Sequence, residues 1–377
     1  MRIVHVIDSE GMYGAEVVVL NLIEAQRAAG HRSSLLSLGG IGTSQKQIEL
    51  EALKRDLDVR ALRFRDGINI RGALTILAHA RQLDAQVIHS HGYKSDILLG
   101  IIPRNYRRIP VLSTLHGWTS TSICSKIWLY ETLQALMATT LDRVVAVSAR
   151  IQEQRRLRMF GVKPVIVNNG IPILDFTGGE PWARLPHLPD HRKRGWKIIS
   201  VGRLSPEKGF AVLIEAIGRV TVRGTNISLV LVGDGPEATA LKRAAERARV
   251  ADRVFLTGYR EKAYRFIPDF DLFVLPSFSE GSPITLLEAM QAGVPILATS
   301  VGEIPRLLDY GNLGRLVEPR DPAVLAKALI EIFGNINEAR QKASQAKETA
   351  IREYSLMRTA ERYIALYKEI VSAGCAA

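Results

Sequence analysis

The same rhythm runs through this chain twice: short runs of Val, Ile and Leu separated by helix-length amphipathic stretches. In the first half, strand-like runs fall at 2–7, 33–38, 59–62, 86–89, 111–115, 143–147 and 165–167. Helical patterns lie between most of them, for example at 15–29 and 71–83. Continuous apolar runs spaced this way specify a parallel sheet covered by helices on both faces, because each strand is buried on two sides.

Residues 171–195 interrupt the rhythm. Pro172, Pro181, Pro186, Pro189, Gly178, Gly179 and the basic run 192–194 read as an interdomain linker with its lead-in. A second alternation follows, with strands at 197–201, 228–232, 253–256, 272–274, 295–298 and 315–317. Helices are expected at 210–222, 237–249, 284–292 and 323–333, and the polar-rich stretch 337–371 also reads as helical. The expected fold is therefore α/β, two doubly wound domains facing each other across a cleft. Ligands in such sheets bind outside the carboxyl ends of the strands, and every motif below follows a strand.

Two domains also suit 377 residues, of which 47% are hydrophobic and 23% charged. The formal net charge is +12. Residues 1–170 hold 22 Lys/Arg against 14 Asp/Glu, a balance of +8, and the remaining 28 against 24 give +4. An excess in the first half suits an anionic partner there, such as a membrane surface, or a basic proteome background. Cys124 and Cys375 supply neither a metal spacing nor a disulfide framework. No apolar run approaches the ~18 residues of a spanning helix. Residues 1–10 read as a first strand and not a signal peptide.

The segment Ser279-Glu280-Gly281-Ser282-Pro283-Ile284-Thr285 leads into a helix that carries Glu288 and can end at Gly293. Ser282 is expected as its cap and Pro283 at its first position. Backbone N–H groups at such a terminus bind phosphate, while carboxylates accept hydroxyls, so the pattern suits a sugar nucleotide. Glu288 also fits a plain polar stripe with Thr285 and Gln291. Arg203 and Lys208 share a short loop after the 197–201 strand. They suit a diphosphate, or a solvated loop with a Glu207–Lys208 pair. Gly233, in Gly233-Asp234-Gly235-Pro236, permits close approach by a nucleoside or simply a tight turn. In the first domain, Gly14 lets the backbone approach a phosphate at a helix start, or forms an ordinary strand-to-helix turn. His116 ends a strand, where it meets a sugar hydroxyl or packs as a lone His. His89 and His91 offer a similar edge position without a carboxylate. No metal-ligand motif is present.

These elements together resemble the retaining GT-B glycosyltransferases of family 4 over nearly the whole chain. The spaced glutamates Glu280 and Glu288 are the most specific match. Gly202-Arg203-Leu204 with Glu207-Lys208-Gly209 comes next. The turn Val232 to Pro236, Pro276-Ser277, Gln291 to Pro295, Ser148 and Asn169-Gly170-Ile171 also match. Two positions depart: Tyr13-Gly14 replaces a glycine pair, and Pro172 stands where an acid often follows Asn-Gly-Ile.

The resemblance implies transfer of a hexose, with retention and without a metal or cofactor. The donor would be a UDP- or GDP-hexose, the acceptor a hydroxyl of a glycan or lipid-linked molecule in bacterial surface polysaccharide synthesis. It implies an acceptor-side domain at 1–170, a linker at 171–195, a nucleotide-sugar domain at 196–355 and a helix at 356–377 crossing back. Arg203 and Lys208 would stabilise the departing diphosphate. Gly14, Gly281, Ser282, Ile284 and Thr285 would line the donor, with Gly233 beside its nucleoside. Glu280 would hold the donor sugar, Glu288 the ribose, and His116 the sugar near the reacting carbon. A cytoplasmic enzyme, peripheral on the inner face of the cell membrane, is expected. The alternatives are a nucleotide-sugar epimerase of the same fold and a basic nucleic-acid-binding protein. The second lacks any recognised binding module, so no nucleic-acid partner is expected.

Overall fold

The computed structural model describes residues 1–377 except Glu10, Tyr13, Asp66, Ile68, Arg223, 118–124, 178–194 and 376–377. Tyr13, the Trp118 to Cys124 stretch and most of the expected linker therefore lie outside the described residues. The chain divides into two units, Met1–Pro172 with Ser355–Ala377, and Ile173–Tyr354.

The first unit is built on seven strands: β1 (Arg2–Asp8), β2 (Arg32–Gly40), β3 (Asp58–Phe64), β4 (Val87–His91), β5 (Val111–Leu115), β6 (Arg143–Ala146) and β7 (Val165–Ile166). They form one sheet in the order β3-β2-β1-β4-β5-β6-β7, every pair parallel. The second unit has β8 (Trp196–Val201), β9 (Ile227–Val232), β10 (Val254–Leu256), β11 (Leu272–Leu275), β12 (Ile296–Thr299) and β13 (Arg315–Val317). Their order is β10-β9-β8-β11-β12-β13, again parallel throughout. Both sheets thus reverse direction of growth beside their first strand, between β1 and β4 and between β8 and β11. Side chains and helix termini project into the crevice at such a switch point.

The cores follow from the apolar runs. Ile198, Leu229, Leu231, Val274 and Leu297 pack under the helix Phe210–Val222 and its neighbours in the second unit. In the first unit, Val4, Val6, Leu36 and Ile88 pack on one face with Ile76 and Leu77. On the other face Ile3, Val87, Leu112 and Val145 meet Tyr363, Ile364 and Tyr367. Those last residues belong to the terminal helix Leu356–Cys375. The polar-rich stretch is two helices, Ile336–Glu353 and Leu356–Cys375, the second of them the separate helix expected from 356. Ser355 between them bridges Ile171, and a Cβ at Gly170 would sit 2.5 Å from the Ser355 carbonyl oxygen.

The basic side chains of the first half are not all surface charge. Arg107 is fully buried, and its guanidinium binds Asp142 at 2.7 Å and the Leu99 carbonyl at 3.2 Å. Arg156 pairs with Glu131 at 2.9 Å and lies over the Trp128 ring. Ile127, on the helix Lys126–Met137, is 49% exposed.

Candidate active site

The two strands that flank the second switch point, β8 and β11, each release a loop at their carboxyl ends. After β8 the chain runs through Gly202 and Arg203 to a short helical turn, Pro206–Lys208. After β11 it runs through Pro276 and Ser277 to Glu280 and the helix Ile284–Ala292. Because β8 and β11 are neighbours, the loops meet. Lys208 Nζ donates to Glu280 Oε1 at 2.8 Å, and the Ser277 hydroxyl donates to the same oxygen at 2.6 Å. Glu280 is buried, so this cation and hydroxyl offset the desolvation of its charge. The Glu207–Lys208 surface pair is not what forms: Glu207 instead accepts from the Ser205 hydroxyl at 2.5 Å. That bond, with Lys208 and Arg203 nearby, holds its carboxyl below the usual range. Arg203 is exposed.

Two supports for Glu280 carry no sequence signal of their own. Thr299 Oγ1 donates to the Ser277 carbonyl at 2.6 Å and anchors the loop. Gly302, at φ +57°, lets the backbone pass so close to Glu280 that a Cβ would lie 1.9 Å from its carbonyl oxygen. The Pro276-Ser277 pair pointed to the place but not to the hydroxyl's task.

The helix Ile284–Ala292 begins differently from expectation. Pro283, with ψ 109°, is the cap residue and not the first helical one, and no side chain caps the helix. Ser282 therefore does not satisfy the terminal N–H groups, and Pro283 has none. Leu286 N bonds the Pro283 carbonyl at 3.1 Å. Those of Ile284 and Thr285 find no partner among the described residues and point along the dipole's positive end. Gly281 is exposed, with open space where a Cβ would stand. Gly293 ends the helix in the left-handed conformation, φ 70°.

Glu288 lies one turn into that helix, half-buried. Its carboxyl makes no hydrogen bond or ion pair with the described residues, and burial raises its pKa to about 7. It is not part of a solvated stripe, because Gln291 on the same helix is buried and accepts from Leu174 N at 2.9 Å. Gly233 sits at φ +147°, and a Cβ there would lie 1.9 Å from the Gly202 carbonyl oxygen. Close packing of the β9 turn on the β8 loop thus accounts for the glycine.

In the first unit, Gly14 opens the helix Gly14–Ala28 with nothing near its missing side chain. His116 follows β5 and is half-buried. Its Nε2 lies 3.0 Å from His91 Nδ1, and its Nδ1 is out of water contact with no partner among the described residues. His89 and His91 are fully buried and not edge groups. His5, His89 and His91 bring three ring nitrogens within 4.8 Å of one another. Every ring nitrogen of the three already has a protein partner, so a metal there would have to displace an intact network. A depression of about 620 Å³ at the amino ends of the first sheet is lined by Arg2, Arg27, Arg32, Asp56, Asp58 and Asp84. Its charges balance, and no motif falls there.

Residues 12–173 match the family model "Glycosyltransferase Family 4", and residues 195–335 match "Glycosyl transferases group 1". The phosphatidyl-myo-inositol mannosyltransferase of Mycobacterium tuberculosis is 27% identical, covering 96% of this chain and 94% of its own. The alpha-D-kanosaminyltransferase of Streptomyces kanamyceticus is 30% identical over 46% of this chain and 45% of its own. Among solved structures, Anabaena Alr3699/HepE in complex with UDP superposes with a TM-score of 0.80 at 18% identity, covering 98% of this chain and 100% of that one. A Rickettsia africae glycosyltransferase gives 0.77 at 19%, covering 98% of each. With its two Rossmann-like parallel sheets and both family matches, the chain belongs to the family 4 glycosyltransferases of the GT-B fold.

Proposed function

We propose that this glycosyltransferase moves a hexose from a UDP- or GDP-sugar to a hydroxyl of a glycan or lipid-linked acceptor, with retention, in bacterial surface polysaccharide synthesis. One observation carries the reading. Within nine residues, the segment Glu280 to Glu288 presents an ion-paired carboxylate, two unpartnered helix N–H groups and an unpartnered carboxyl. A nucleoside-diphosphate sugar matches that order: sugar hydroxyls on Glu280, diphosphate on Ile284 N–H, Thr285 N–H, Lys208 and Arg203, ribose hydroxyls on Glu288. Gly281, Ser282 and Gly233 line the same donor. In the first unit, Gly14 offers backbone to a phosphate and His116 a ring nitrogen to the donor sugar. UDP in the Anabaena neighbour and the lipid named in the mycobacterial relative support the substrate classes. The test is a panel of nucleoside-diphosphate sugars with and without candidate acceptors, scored for nucleotide release. Release that depends on both donor and acceptor is expected. Interconversion of the sugar with no nucleotide released would mean an epimerase.

The cations and the helix terminus balance a diphosphate without a divalent ion. Activity is therefore expected to survive exhaustive EDTA treatment. Loss under EDTA with recovery on adding magnesium or manganese would falsify metal independence.

Docking on an anionic membrane surface belongs to the same proposal. No helix among the described residues is long and apolar enough to cross a membrane. Arg155 and Arg158 are exposed, and so are Ile127 and Leu129 on the helix Lys126–Met137. Each basic side chain beside an anionic leaflet contributes about 1 kcal/mol. Co-sedimentation with anionic liposomes should weaken with salt and fall severalfold in an Arg155→Gln, Arg158→Gln double variant. Arg156 is left intact because it pairs with buried Glu131. Equal sedimentation with neutral liposomes would remove the electrostatic argument.

A further inference from the structure

Three histidines of the first unit stand in one hydrogen-bonded file, His116–His91–His5, and a fourth, His89, joins it through Tyr367. His5 on β1 pairs in register with His89 on β4, and alternation puts His91 on the same face. His116 Nε2 lies 3.0 Å from His91 Nδ1, and His91 Nε2 lies 3.0 Å from His5 Nδ1. His5 Nε2 lies 2.8 Å from Gln26 Oε1. The Gln26 amide is fully buried and held at both ends. Its oxygen also accepts from Ser33 Oγ at 2.7 Å, and its nitrogen donates to the Tyr367 hydroxyl at 3.1 Å. Tyr367 reaches His89 Nδ1 at 2.7 Å, and His89 Nε2 reaches Thr114 Oγ1 at 2.7 Å.

Burial keeps the four rings neutral: it lowers His5 and His116 to about 4, and His89 and His91 well below the usual range. A neutral imidazole has one N–H and one lone pair, so the partner of one nitrogen dictates the state of the other. An amide oxygen only accepts, so His5 carries its proton on Nε2. Its Nδ1 then accepts from His91 Nε2–H. By the same step His91 Nδ1 accepts from His116 Nε2–H. The file ends at His116 Nδ1 as a lone pair with no partner among the described residues. An unpaired acceptor is also the less costly orphan, since buried N–H groups are almost always paired.

We propose that Gln26, His5 and His91 are positioning residues that fix His116 as its Nε2–H tautomer and present Nδ1 as an acceptor for a substrate hydroxyl. The sugar contact rests on the reading of His116 given above; the tautomer does not. Tyr367 makes the terminal helix part of the device, because its hydroxyl orients the Gln26 amide. The lone pair suits a hydroxyl and repels a carboxylate, so a neutral hexose fits better than a uronic acid.

The test uses the full chain with ¹⁵N-labelled histidine, reading ring tautomers by NMR near neutral pH, with His116 assigned through His116→Asn. The wild type should show His116 as Nε2–H. Gln26→Leu and Tyr367→Phe should each give mixed tautomers at His116. Both should lower kcat/KM for the donor by roughly five- to tenfold, with nucleotide affinity unchanged. If Gln26→Leu does not fold, Tyr367→Phe, which removes one oxygen, carries the measurement. An Nδ1–H tautomer in the wild type, or one unmoved in the variants, overturns the proposal. A tautomer that moves with no kinetic change overturns the sugar contact alone and leaves the donor site of the second unit standing.

Discussion

Lys208→Ala should lower kcat by about 10²–10³-fold while changing donor KM far less. Lys208 is held at 2.8 Å from Glu280 by two adjacent strand-end loops, so its charge is already in place before substrate arrives. Negative charge on the leaving diphosphate grows toward the transition state, and a preorganised cation acts most strongly there. The substitution also leaves buried Glu280 with only the Ser277 hydroxyl on that oxygen. A Lys208→Ala, Glu280→Gln double variant separates the two effects. If the pair works as a unit, the double variant should be little worse than Lys208→Ala, since coupled residues are not additive. Unchanged steady-state kinetics in folded Lys208→Ala would remove it from the reaction.

Glu288→Gln should do two opposite things: weaken nucleotide binding and stabilise the free protein. A lost charge-assisted hydrogen bond is worth about 1.5–3 kcal/mol, so affinity should fall by roughly 10- to 150-fold. Stability follows from linkage. The folded-state pKa is raised from 4.5 to about 7 by burial. Between those values the folded chain holds a proton that the unfolded chain has released, so stability falls as pH rises through the window. The penalty is complete above the folded pKa and absent below the unfolded one. With screening at this half-buried group it is on the order of 2 kcal/mol. The variant's Tm should therefore exceed the wild type's by a few degrees at pH above 7, with the gap closing as pH falls below 4.5. Donor affinity of the wild type should weaken as pH drops through about 7, and that of the variant should stay flat. A variant Tm below the wild type's on the alkaline side would mean that Glu288 makes favourable contacts of its own.

All thirteen strands were legible as short runs rich in Val, Ile and Leu between helix-length stretches; β4, β5 and β11 are buried throughout, whereas β3, β7 and β13 at the sheet edges are only partly covered. The helix Ile284–Ala292 was legible from its apolar residues and the Gly at its end. Its start was not. Ser282 and Pro283 satisfy the statistics of a cap and a first turn, but ψ at Pro283 puts the cap one residue later. The Lys208–Glu280 pair needed knowledge that β8 and β11 are neighbours, and strand order is a property of the whole sheet. The burial of Arg107 was not legible, because nothing local announces Asp142, 35 residues on, as its partner. The histidine file hid for a similar reason. His89 and His91 share a face by alternation, but only the register of β1 against β4 adds His5, and only the terminal helix adds Tyr367.

The most direct test of the central assignment is a crystal structure of the chain with the nucleoside-diphosphate sugar that the panel selects. The account predicts both ribose hydroxyls within about 3 Å of the Glu288 carboxylate. It also predicts the diphosphate on the Ile284 and Thr285 N–H groups with Lys208 and Arg203 against it, and the sugar on Glu280. A donor bound with its ribose away from Glu288, or its diphosphate away from the start of that helix, would contradict it.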